Sequence, residues 1–195
     1  EMFKYRPNIE RNLNPDDFDL PGKYVEFHDY FGLDVLFSGG LLWDRYIPET
    51  NVNWEVIVTR TGDTDNQRRV TIVKTPDGNL QQIQNFKRSS EHLIVFAPEE
   101  YLIKTKKDFE IFAKYVPPAK YCDLDIISRA KTAVADKGLV NPAIMGVYNT
   151  INQFRKLEDM MMDPIADEGF YREMMEFFLA WNVKHIIGDV IPAGA

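Results

Sequence analysis

Residues Asn141 to Arg155, NPAIMGVYNTINQFR, join a short apolar run to a polar corner and then to a helical pattern, and this order limits the fold more than any other stretch. Ala143 to Val147 shows no alternation of polar with apolar residues. A strand covered on both faces has that composition, so the run predicts a buried parallel strand feeding a helix from Asn149 to Met161. In parallel α/β folds, ligands bind beyond the C-terminal ends of the strands. Tyr148, Asn149 and Asn152 leave the predicted strand and are candidate ligand contacts.

A second run of the same kind lies at Leu33 to Ser38, bounded by Gly39 and Gly40. It predicts another buried strand, with small residues at its end that leave room for a ligand. Before it, Tyr24, Phe27, His28 and Phe31 recur at three- and four-residue spacing, which predicts a short helix over Lys23 to Phe31 stopped by Gly32. Glu1 to Gly22 is polar and turn-rich and predicts loop.

Between the two runs the pattern changes. Glu55 to Thr59 and Arg69 to Val73 are β-rich and flank a polar segment with Gly62 and Asp63, which predicts a hairpin. Thr75-Pro76-Asp77-Gly78 is a turn, and Asn79 to Phe86 and His92 to Phe96 extend an antiparallel sheet over roughly 54 to 96. Pro98-Glu99-Glu100 predicts a short helical turn, Thr105 a helix start with Phe109, Phe112 and Ala113 inward, and Asp123 to Lys137 an amphipathic helix ended by Gly138. Phe170 to Asp189 predicts a long helix. Strands near 35 and 145 alternating with helices predict an α/β fold of the (β/α)8 TIM-barrel type, in part, carrying an antiparallel β insertion. The first residue is Glu1, and the chain stops at Ile191 to Ala195 just after a helix, so both ends look cut and one domain, part of a barrel, is expected.

A net charge of −7 with a pI near 5.0 disfavours nucleic acid and acidic lipid as partners. No apolar run approaches membrane-spanning length and no basic-then-apolar leader opens the chain, so a cytoplasmic protein is expected. Cys122 is the single cysteine, which rules out an internal disulfide. His28, His92 and His185 are scattered, so no metal site is expected within these residues. The Met160-Met161-Met162 cluster reads as core filling.

Phe31-Gly32-Leu33-Asp34 leading into Val35-Leu36-Phe37-Ser38, Thr75-Pro76-Asp77-Gly78-Asn79-Leu80, Tyr101-Leu102-Ile103-Lys104-Thr105 before Asp108-Phe109, and Phe154 to Asp159 before a Met-rich run occur in this order. In that order they resemble the uroporphyrinogen decarboxylase superfamily, over roughly residue 27 to the end. The resemblance implies a (β/α)8 barrel and one of two activities, decarboxylation of porphyrinogen side chains or corrinoid-linked methyl transfer to or from a zinc-activated thiol. The decarboxylases use an aspartate after the first of these strands, where this chain has Ser38-Gly39-Gly40. They also carry an Arg-Gln-Ala-Gly-Arg motif and a tyrosine near the position of Phe154, and this chain has neither. Four porphyrinogen carboxylates then lack an anchor, and the methyltransferase branch is the expected one.

For a complete protein the resemblance implies zinc and a corrinoid as cofactors, a small-molecule substrate, a corrinoid protein as partner and a homodimer as assembly. The alternatives are a decarboxylase-like lyase and a non-catalytic member that binds a ligand or partner. No catalytic residue is assigned. The substrate site is expected where Ser38, Gly39 and Gly40 meet Tyr148, Asn149 and Asn152, with Trp43 and Arg45 at its rim.

Overall fold

The structure, a computed structural model, describes residues 20–41, 47–63, 65–90 and 93–194. Trp43, Arg45, His92 and the loop expected before Gly22, up to Asp19, lie outside the described residues. The first helix, α1 (Leu20–Phe31), ends where Gly32 takes the left-handed φ of 64° that a side chain disfavours. Strand β1 (Val35–Gly39) follows at the predicted place. Its parallel partner β6 (Gly138–Pro142) pairs Val35 with Gly138, Leu36 with Leu139, Phe37 with Val140, Ser38 with Asn141 and Gly39 with Pro142.

This pairing corrects the strand expected at Ala143 to Val147. The apolar run is a loop whose last residue opens helix α4 (Val147–Ile151), and the strand lies five residues earlier. Gly138, expected as a helix stop, and Pro142 have roles in the ladder. A Cβ on Gly138 would collide with the Val35 carbonyl, and Pro142 sits at the strand end, where its missing donor costs least. Gly138 therefore starts a strand, and the helix before it, α3 (Leu124–Val134), stops sooner than expected, with Ala135 at a φ of 48°.

The insertion is a four-stranded antiparallel meander in the order β2 (Glu55–Gly62), β3 (Asn66–Thr75), β4 (Gly78–Ser90), β5 (Leu93–Glu100). At the β2–β3 turn the Asp63 carboxylate accepts from the Asp65 and Asn66 amides, and these bonds hold its pKa below the ordinary value. Pro98, Glu99 and Glu100 belong to β5 and not to a helical turn, with Glu99 paired to Arg68 and Glu100 to Lys104. Helix α2 (Lys106–Tyr115) opens with a capping box in which Thr105 and Asp108 bond each other's backbone amides.

The helix expected over Asn149 to Met161 is two helices, α4 and α5 (Leu157–Ala166), with a corner between them. At the corner Phe154 is fully buried and Arg155 makes a two-pronged pair with Asp163, 2.6 and 2.7 Å, while its Nη1 donates to the Lys104 carbonyl at 3.0 Å. Helix α6 (Glu168–His185) runs on into a π-helical turn, Ile186–Val190.

The main core joins the base of the meander (Trp54, Val73, Leu80) to α2, the α4–α5 corner and α6. A second, smaller core of Val25, Val35, Phe37, Ala130 and Val134 lies between α1, α3 and the parallel pair. The fold is mixed α/β; the described residues form one parallel and one antiparallel sheet and close no barrel.

Candidate functional site

Side chains alternate across a strand, so the parallel pair has two unlike faces. Val35 and Phe37 are buried and Val140 packs inward with them against α1 and α3. Leu36, Leu139, Ser38 and Asn141 point to the other face, where Leu36 and Leu139 are 53% and 70% exposed. On this uncovered face the leucines form a register pair deep along the strands, and Ser38 and Asn141 form the next polar pair toward the C-terminal end.

The strand ends are held from below. The Ala143 amide donates to the Gly39 carbonyl at 2.8 Å and the Asp123 amide to the Gly40 carbonyl at 2.7 Å. Cys122 bridges Leu41 and lies with its Sγ 3.7 Å from the Ala143 carbonyl. Burial pushes the Cys122 thiol up to about 11, so it is protonated near neutral pH. From α6, Asn182 donates to the Met145 carbonyl at 3.3 Å and to Thr150 Oγ1 at 2.8 Å, which pins the loop after β6 and the last turn of α4 to the core.

Ser38 is exposed beside Asn141, and Gly39 is half-buried over the Phe37 ring. Gly40 packs against α3. Its φ is 85°, and a Cβ there would press on Ile127, so α3 fills the space it leaves. Tyr148 and Asn149 are exposed in α4. Gly146 caps that helix with no side-chain bond, so Asn149 is not its N-cap. Asn152 is the C-cap residue and turns inward, its Oδ1 buried without a hydrogen-bond partner. Among the described residues no hydrogen bond joins Tyr148 or Asn149 side chains to the strand ends.

Sequence reasoning missed Asn141 as a site residue. The signal was a polar side chain directly after Leu139-Val140, obscured by placing the strand five residues late. His185 is one of the three scattered histidines. It is 3% exposed, its Nδ1 lies 2.8 Å from Asp189 Oδ2, its ring meets Tyr121, and its Nε2 has no partner.

Among the described residues no three His, Cys, Asp or Glu side chains gather closely enough to hold a metal. These residues do not fit a zinc centre. No described helix is long and apolar enough to cross a membrane. Compared with protein-family models, curated proteins and solved structures, the chain matches none.

Proposed function

We propose that the chain is part of a (β/α)8-type barrel like that of the uroporphyrinogen decarboxylase superfamily, in its corrinoid-linked methyltransferase branch. The substrate is a small molecule bound over the C-terminal ends of β1 and β6. One observation carries this reading: two parallel strands present an uncovered face that is apolar at Leu36 and Leu139 and polar at its C-terminal end, Ser38 beside Asn141. Parallel strands are ordinarily covered on both faces, and the wall of a barrel interior places apolar layers deep and ligand contacts at the C-terminal mouth.

Ser38 and Asn141, with Tyr148, Asn149 and Asn152 nearby in sequence, offer hydroxyl and amide groups and no formal charge. Such a set orients a polar ligand, and even with Arg45 at the expected rim it leaves most of a porphyrinogen's carboxylates unneutralised, which favours methyl transfer over porphyrinogen decarboxylation. Zinc and a corrinoid belong to the proposal only through the resemblance. A non-catalytic binding role is the second reading, favoured by the lack of a carboxylate or imidazole among these five residues.

The test is methyl transfer between methylcobalamin and a small thiol, followed by the corrinoid's visible spectrum, with the protein at its native length. Turnover is expected, and Asn141→Ala should lower kcat/KM about tenfold, the loss of one ligand hydrogen bond. No spectral change together with no bound zinc would reject the methyltransferase and leave the binding role.

A further inference from the structure

The antiparallel meander is longer than the body it rests on. One of its faces carries, row by row across β2, β3 and β4, Val56–Val73–Leu80, Val58–Thr71–Gln82 and Arg60–Arg69–Gln84. The first row is in the core at Val73 and Leu80, and in the second Gln82 donates to the Gln153 carbonyl of the α4–α5 corner at 2.8 Å. Beyond that contact Gln84 is still buried, at 7%, while Val58, Arg60 and Phe96 on the same face are exposed. Its outer part carries Arg60 and Arg69 as direct cross-strand neighbours, then Phe86 and Phe96, with Val58 at its margin.

This end is built for an anion on an apolar support. Like charges directly opposite on neighbouring strands repel, and their side chains start about 5 Å apart. Arg69 is fixed in place: its Nε donates to Gln84 Oε1 at 2.8 Å, and its guanidinium lies 5.0 Å over the Phe86 ring. Phe86 and Phe96 pack at 5.4 Å, and Phe96 is still 44% exposed. No acidic residue points to this face from the described parts of the four strands, since Glu55 aligns with Lys74 and Glu99 bonds Arg68 and Asn85 on the opposite face, and at its far edge Asp65 of the β2–β3 turn is paired with Arg88. The patch is locally basic on a chain whose net charge is −7.

We infer that the overhanging end of the meander docks a partner protein that presents carboxylates beside apolar side chains. Its exposed form suits a protein surface better than a small ligand, which needs a concave site. Arginine and aromatic side chains are those that carry protein interfaces. A nucleic acid is disfavoured by the acidic remainder of the chain, which repels a phosphate backbone over a Debye length.

The experiment is an amide-resolved NMR titration of the 195-residue protein with a random copolymer of glutamate and tyrosine. Oligodeoxythymidylate is titrated in parallel, and sedimentation reports self-association. Shifts are expected on residues 58–62, 67–69, 84–88 and 95–97, at about 50 mM salt and lost near about 0.5 M. Arg60→Gln, at an exposed position, should weaken the copolymer about tenfold and leave the spectrum folded. Phe96→Ala should weaken it independently of charge. The inference is overturned if the copolymer shifts other amides, if Arg60→Gln binds as tightly as the parent, if oligodeoxythymidylate binds more tightly than the copolymer, or if these amides shift on concentration alone as the protein dimerises.

Discussion

Arg155 and Asp163 are the charged pair on which most local structure depends. Their side chains are 7% and 8% exposed, and the guanidinium also lies 5.2 Å over the Phe170 ring. Asp163→Asn leaves a buried cation without its counter-charge, and breaking such a pair costs about 3–5 kcal/mol. A urea titration should show that loss as an earlier midpoint with an unchanged slope. Exposed pairs such as Arg172–Glu168 carry far less, because solvent screens them. Cys122 makes a prediction in pH. Its folded pKa stands near 11 against an ordinary 9.0, so between those values the unfolded thiol ionises while the folded one stays protonated. Stability from this group is complete below pH 9 and falls as pH rises toward 11. Comparing unfolding midpoints of the parent and Cys122→Ala over that range should show a steeper alkaline decline in the parent.

At the scale of elements, what could be read from the sequence depended on whether a local rule acted alone. Thr105 and Asp108 satisfy each other's amides without help from elsewhere, and α2 begins where their spacing placed it. The meander was readable because each turn has its own chemistry, Asp63 in one and Thr75 to Gly78 in another. β6 was misplaced because its defining residues act through a partner far along the chain. Gly138 is required by the approach of the Val35 carbonyl, and no residue near 138 carries that information. The apolar run at Ala143 to Val147 was attributed to burial on both faces, yet Ile144 is exposed while Met145 and Val147 pack on the core, as in a loop seated by Asn182. Gly138→Ala tests this account. The added methyl must displace backbone, so a loss on the order of 3 kcal/mol is expected, larger than that of an ordinary glycine substitution in a strand. Equal stability of Gly138→Ala and the parent in thermal unfolding would show that the β1–β6 approach is looser than described.

At the scale of the whole molecule, the described residues form two cores of unequal size, and the proposed ligand site stands on the smaller one. Val25, Val35, Phe37, Ala130 and Val134 support the parallel pair, and Ile126 and Val140 link them to the larger core. The pair's other face is open at Leu36 and Leu139. Opening free energies follow buried apolar contact, so segments resting on less of it open first. Amide exchange under native conditions should therefore release the β1 and β6 amides, Phe37 and Val140 among them, before those of Val73 and Leu80, where β3 and β4 are anchored in the larger core. The proposed barrel adds a second condition. If further strands cover Leu36 and Leu139, Leu139→Asp should cost little in the 195-residue chain, where that side chain already meets water, and several kcal/mol in a longer protein that buries it. Equal small costs in both lengths would show that the face stays open, and the barrel reading would fall while the two-core exchange order stood.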